Sequence, residues 1–305
     1  MKVLCIGHIS YDITFPMEGF IKENTKNRVN ERVECGGGPA SNAAYLLGKY
    51  GVETYIMGLL GNDFYANKIM EEFKVVNVNT DYIEQNSNYS TTVSTIIANK
   101  TNGSRTILTY KNNLVKYPIK DIEFIPDIIH LDGQEIEISN YMLDKYPNAI
   151  SVIDAGRNTD EIIELSKRVN YLVCSKEFAE NITNKKFDKN DLSTYSDIYT
   201  EMEKIFKNTI VITLESDGSL ARIDGKLKII PSIKVKAIDS TGAGDLFHGA
   251  FVYCLTQKFN LEKSLIFSNI VGALSVTKIG GRFSVPNLDE VLTILNDVKW
   301  YYFYW

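Results

Sequence analysis

With 305 residues, 44% of them hydrophobic and 23% charged, the chain holds enough apolar material for one large domain or two ordinary ones, and too much for a disordered polymer. A formal net charge of −5 argues against an extended nucleic-acid footprint, though not against a local basic pocket. No run reaches the roughly 18 apolar residues that span a membrane, and the apolar part of MKVLCIGHIS is too short for a secretory signal, so a cytoplasmic protein with no membrane partner is expected. Cys5, Cys35, Cys174 and Cys254 form no CxxC pair and read as small buried hydrophobes. With His8, His130 and His248 as scattered as the cysteines, a zinc site is not expected.

Residues 3–9 are an almost continuous apolar run, as in a strand buried on both faces of a parallel sheet. Residues 13–34 turn polar, with brief alternation, and read as an exposed hairpin or flap. Gly36-Gly37-Gly38-Pro39 ends that excursion, and residues 40–50 take helical spacing with Ala43, Ala44, Leu46 and Leu47 on one side. Pro39 suits the first helical turn and Gly51 the C′ position. Residues 53–59 read as the next strand, and Asp63 as the cap of a helix running to about residue 73.

A second β-rich excursion covers residues 91–111, where two runs flank Asn102-Gly103, a strong hairpin signal. The two excursions are expected to pair into one small sheet over an open site. Strands at about 127–131, 150–154, 170–173 and 209–214 then alternate with helical segments at about 135–145, 159–168 and 195–206. Such alternation predicts a layered α/β domain with a mostly parallel sheet. Short strands surround Asp224-Gly225, and long helical stretches follow at about 243–257 and 261–278. No repeat or linker divides the chain, so residues 1–305 read as one domain with lid segments inserted at about 13–35 and 91–111. The six consecutive aromatics at 300–305 read as a terminal segment, either disordered or packed in a surface groove; an anchor for a membrane or partner is the sharper alternative.

The chemistry concentrates in Ala237-Ile238-Asp239-Ser240-Thr241-Gly242-Ala243-Gly244-Asp245, between a strand and a long apolar-striped helix. Small residues at 242–244 let the backbone approach a ligand closely, and the unpaired N–H groups of the helix end favour an anion. A phosphate is the natural guest. A carboxylate beside such a hole is unfavourable unless it acts on the substrate, as Asp245 would by accepting the proton of an attacking hydroxyl. Taken alone, Asp245 is equally explained as a residue that stabilises the first helical turn. Neither GxxxxGK[ST] nor GxGxxG after the first strand occurs, which disfavours a P-loop or a classical dinucleotide site.

Residues Asp239 to Asp245, Asp-Ser-Thr-Gly-Ala-Gly-Asp, resemble the C-terminal signature of the ribokinase-like, or PfkB, family of carbohydrate kinases. Gly37-Gly38-Pro39-Ala40-Ser41-Asn42-Ala43 resembles the family's N-terminal signature, and the likeness runs from about residue 2 to 296. It implies a ribokinase-like α/β/α domain with a small β-sheet lid, and transfer of the terminal phosphate of ATP to a small sugar or sugar acid. It also gives Gly242, Ala243 and Gly244 the anion hole and Asp245 the role of base. Asp12, Gly38 and Asn42 fall at substrate positions. An ionised Asp12 is a good clamp for a diol, and Asn42 can donate and accept; a loop-capping Asp12 and a helix-capping Asn42 are the plainer readings. Arg105 could reach the substrate from the lid, but is expected in solvent.

Thr213, Ser216 and Gly218 match the family's TLGxxG turn along the nucleotide, and Asn269 a position beside the base; the plainer reading of Asn269 is an exposed helix face. The chain departs from the family at Glu215, where glycine is usual, and in the NxxE motif, where Ser175 and Phe178 stand for the asparagine and glutamate. Glu177 is a weak substitute, which would leave magnesium held mostly by water and ATP oxygens. Asp239, Thr241, Ser275, Lys278, Gly280 and Ser284 match a monovalent-cation site, several through backbone carbonyls, so potassium is an expected activator. Exposed lid edges suggest a homodimer. The runner-up function is a nucleoside kinase of the same fold, and a third reading, argued from residues 175, 178 and 215, is a sensor without catalysis.

Overall fold

The computed structural model describes residues 1–111 and 115–297, and the backbone of 303–304. In chain order, β1 (Lys2–Ile6) leads into β2 (Ser10–Met17), β3 (Val33–Gly37), α1 (Pro39–Lys49), β4 (Glu53–Leu60), α2 (Phe64–Val75) and β5 (Ile83–Gln85). The hairpin β6 (Thr92–Asn99) and β7 (Arg105–Tyr110) follows. Then come β8 (Ile128–Leu131), α3 (Ile136–Lys145), β9 (Ile150–Ala155), α4 (Asp160–Arg168), β10 (Tyr171–Ser175), α5 (Lys176–Thr183), α6 (Ser193–Ile205) and β11 (Thr209–Thr213). The last elements are β12 (Ser219–Ile223), β13 (Lys226–Ile230), α7 (Ala243–Thr256), α8 (Leu261–Ser275), α9 (Leu288–Asp297) and the two-residue β14 (Phe303–Tyr304).

The large sheet has the order β14-β13-β12-β11-β10-β9-β8-β1-β4-β5. It is parallel from β11 to β5 and antiparallel beyond. Its strands bury both faces, which is why they read as continuous apolar runs. Val3, Cys5, Val152, Val173 and Val211 turn to a core shared with α1, α2, α7 and α8. Leu4, Ile6, Ile153, Leu172 and Ile212 turn to the opposite core, under α3, α4, α5 and α6. The result is the three-layered α/β/α fold expected from the sequence.

A separate four-stranded sheet, ordered β3-β2-β6-β7, forms the lid. Ser10 to Met17 pair in parallel with Thr92 to Asn99, so the two excursions do combine. The lid strand β2 starts only three residues after β1, at Ser10, and β3 runs to Gly37 beside α1. The lid therefore hangs from the site's own floor. Asp63 caps α2 by accepting from Ala66 N at 2.9 Å. The aromatic tail lies outside the described residues except for the backbone of β14, which pairs with β13. Among the described residues no helix is long and apolar enough to cross a membrane.

Candidate active site

In an open parallel sheet, ligands bind beyond the carboxyl ends of the strands where strand order reverses. Here that point lies between β1 and β8, and Asp132, just after β8, bridges it. Its carboxylate accepts from His8 N at 2.7 Å, Ala40 N at 3.2 Å and Gln134 N at 2.9 Å. Three backbone donors from three segments hold the floor of the cleft. An Asp at the end of an apolar run, as in Ile129-His130-Leu131-Asp132, is the sequence signal that could have found it.

The glycine run 36–38 is the second part of the floor, and close approach explains it. A Cβ on Gly36 would stand 2.0 Å from the Arg282 guanidinium, one on Gly37 2.1 Å from the Asp12 carboxylate, and one on Gly38 2.4 Å from His8 O. Arg282 is fully buried. It pairs with Glu72 at 2.8 Å, bonds Ser41 Oγ and lies over Phe73 and Tyr45. Glu72 in turn accepts from Gly36 N at 2.9 Å. A buried cation thus supports the strand that faces Asp12.

Asp12 is buried and accepts from Ser10 Oγ at 3.1 Å. Burial pushes its carboxyl up to about 6; Ser10 and Arg282 pull it down, and the charge of Asp245 adds to the rise. Asn42, on α1, donates from Nδ2 to Asp245 Oδ2 at 2.7 Å. Its Oδ1 is buried with no hydrogen-bond partner among the described residues. Asp12, Gly38, Asn42 and Asp245 thus converge.

Gly242 takes the left-handed conformation (φ 73°) as the N-cap of α7 and lies against Asn42 and Gly281. Ala243 N turns back to Ser240 O at 3.4 Å, while Gly244 N–H is left at the open helix end. Burial raises the proton affinity of Asp245, and the Asn42 hydrogen bond and the nearby Arg105 cation lower it. Arg105 is exposed, as expected, and its guanidinium also donates to Ser240 Oγ at 2.9 Å, on the segment that leads into α7. The same hairpin presents Gly103 O to Ser240 N at 3.0 Å. Sequence spacing could not foresee this because the partner is 135 residues away.

A cavity of about 900 Å³ extends from Ala243 and Gly244 along Thr213, Ser216, Gly218, Glu177 and Asn269. Glu215 has φ 56°, so it adopts the glycine-like backbone while its side chain stays exposed. Ser175 caps α5 through Phe178 N at 3.1 Å, and Phe178 is buried in the core beside Phe206. Glu177 and Glu215 are exposed carboxylates that border the cavity. Asn269 is 4% exposed, which corrects the exposed-face reading, and its Nδ2 donates to Ile230 O at 2.9 Å and Ser219 Oγ at 3.2 Å.

The residues matched to a cation site divide. Asp239 is committed to Thr241 N and Gly280 N, both at 2.9 Å. Ser275 and Ser284 donate to Gly272 O and Gly281 O, and the Lys278 side chain is exposed. Thr241 Oγ1 is buried and unpartnered among the described residues. A cation there would meet backbone carbonyls and this one hydroxyl.

Residues 1–288 match the model of the pfkB family of carbohydrate kinases. A nucleoside kinase of Methanocaldococcus jannaschii is 25% identical over 301 residues, 95% of both chains. A ribokinase of Staphylococcus aureus is 28% identical over 306 residues, 95% of this chain and 98% of its own. The structure of Arabidopsis thaliana ribokinase complexed with ribose and ATP superposes with a TM-score of 0.81 at 22% identity, covering 97% of this chain and 99% of that one. The chain therefore belongs to the pfkB family: it is a carbohydrate kinase, a phosphotransferase with an alcohol group as acceptor.

Proposed function

We propose that this pfkB-family kinase transfers the terminal phosphoryl group of ATP to a hydroxyl of a small sugar or sugar acid, with Asp245 as general base. The observation that carries the reading is the meeting of substrate floor and anion hole at one carboxylate. Asn42 holds Asp245 Oδ2 at 2.7 Å, Asp12 feels its charge, and Gly242 to Gly244 open α7 beside it.

Asp12 and the free Oδ1 of Asn42 accept acceptor hydroxyls, which orients the substrate. Asp245 takes the proton of the attacking hydroxyl as its oxygen bonds to the γ-phosphorus and the bond to the β-phosphate oxygen breaks, releasing ADP. The Gly244 N–H and the helix end meet the charge on the transferring group. Thr213, Ser216, Gly218 and Asn269 border the nucleotide. Magnesium, when bound, would neutralise phosphate charge; Glu177 is one of the cavity-lining carboxylates that could meet its water shell. The orphaned Thr241 Oγ1 suits a potassium ion in the adjoining loop. Exchange of potassium for a bulky organic cation should lower the initial rate; an unchanged rate removes the ion from the account.

The proposed setting is the cytoplasm, where ATP is supplied. The exposed β7 edge of the lid, with Leu108 70% and Tyr110 69% exposed, supports a homodimer through the lid. A sedimentation mass of 34.5 kDa would reject it.

The test of function is ADP release from MgATP with pentoses, hexoses, sugar acids and nucleosides, run beside Asp245→Asn. Nucleosides belong in the panel because the Methanocaldococcus jannaschii relative carries that activity in its name. Turnover with one substrate that Asp245→Asn abolishes supports the reading. Saturable binding with no turnover would favour the sensor.

A further inference from the structure

Three carboxylates crowd the carboxyl end of the sheet: Asp132 after β8, which is buried, and Asp154 in β9 and Asp245 on α7, which are partly buried. They are not equally served. Asp132 accepts three backbone N–H groups, and Asp245 has the Asn42 amide and the nearby Arg105 cation. Asp154 has one polar partner among the described residues, His248 Nε2 at 3.2 Å, and that pair is 14% and 4% exposed. His248 sits three residues after Asp245 on the same helix, so the two project from neighbouring positions. Behind it, His130 stacks at 6.3 Å, and His130 Nδ1, His130 Nε2 and His248 Nδ1 are all buried without partners among the described residues.

We propose that Asp154 and His248 are a positioning pair that retains one shared proton, leaving the negative charge of this crowded strand end on Asp132 and Asp245. The inference rests on the kinase reading for its purpose, but not for its chemistry. A largely desolvated carboxylate near two others keeps its proton unless donors compensate, and Asp154 has the fewest among the described residues. Burial and the charges of Asp245 and Asp132 act on it in that direction. The groups facing the pair from other elements are His130 on β8, Asp132 after it and Cys174 on β10, and none is a cation. Whether the proton rests on Asp154 or on the imidazole, the pair is net neutral and ties α7 to β9 directly behind the base. On deprotonation a new anion would appear beside Asp245 and the incoming phosphate.

Infrared difference spectra of wild type against Asp154→Asn, with His248→Gln as a second reference, read the proton without any substrate. At neutral pH a protonated-carboxyl stretch, or an imidazolium band, should be present in wild type and vanish in the variant. Kinetics give the second readout. Asparagine keeps a neutral donor, so Asp154→Asn should lose about threefold or less in kcat, whereas Asp154→Leu should lose about tenfold or more with KM for ATP within about twofold. Because asparagine cannot ionise, the fall of kcat on the alkaline side should also weaken in Asp154→Asn. Absence of both bands in wild type, or equal damage from Asn and Leu, overturns the proposal. If wild type turns over no substrate at all, the kinase reading fails while the infrared result still decides the proton.

Discussion

The floor of the cleft and its nucleotide-facing wall are built on opposite rules. On the floor, side chains and backbone interlock: Gly37 gives way to the Asp12 carboxylate, Asn42 reaches Asp245, and Asp132 gathers three N–H groups. A single added carbon there displaces a functional group. On the wall, the backbone course is what persists. Glu215 adopts a left-handed conformation with its side chain exposed at the cavity rim, and Ser175 and Phe178 serve as a helix cap and a core residue. A site that holds a small acceptor needs atoms in fixed places. A surface along a nucleotide needs mainly a course for the chain.

The largest break in the comparison should come from Asp245→Asn. It keeps a polar partner for Asn42, so the fold should survive while kcat falls by about a hundredfold or more, as for loss of a general base. Thermal unfolding beside the ADP-release assay checks both halves. Gly37→Ala should come next. Its Cβ would stand 2.1 Å from Asp12 Oδ2, so KM for the acceptor should rise about tenfold while KM for ATP stays within about twofold. Equal changes in both constants would mean that floor and wall are not separable.

The pH dependence sharpens the same division. Asp12 has its carboxyl raised by burial from 3.8 to about 6. The folded state therefore holds this proton more tightly, which favours the fold below about 4 and is lost as pH rises through about 6. The acceptor binding proposed for Asp12 needs the ionised form and runs the other way. KM for the acceptor should climb as pH falls below about 6, with KM for ATP nearly flat, in initial rates measured at each pH.

The smallest effect is expected on the wall. Glu215→Gly removes a non-glycine residue from positive φ, a strain of about 1 kcal/mol that the greater unfolded-state entropy of glycine nearly cancels. The melting temperature should barely move, and KM for ATP should fall about twofold as a negative charge leaves the cavity rim. A large loss of activity would show that Glu215 has a task of its own.

The layered fold was legible because the strands are buried on both faces, so their apolar runs stand out between helical segments. The two signature turns were legible because backbone chemistry marked them: Gly36 to Pro39 and Gly242 to Gly244 are strings of small residues before helices. Short or weakly apolar elements escaped. The strand β5 has three residues, α5 buries only Phe178, Ala179 and Glu180, and α9 buries only Val291. Contacts made across the chain also escaped, because no local pattern encodes them. Arg105 with Ser240, Arg282 with Glu72, and Asp154 with His248 are such pairs. Asn269 looked like a surface residue on a helix, yet it bonds the backbone end of β13.

The hairpin tip that bonds Ser240 has one more consequence. Gly103 O and the Arg105 guanidinium fasten the lid to the segment that leads into α7, and both residues border the cavity beside it. The same sheet carries Asp12 on β2, the residue proposed to hold the acceptor. Under the proposed function, sugar and nucleotide share this one fastening, and a change at either of its two hydrogen bonds would be felt at both.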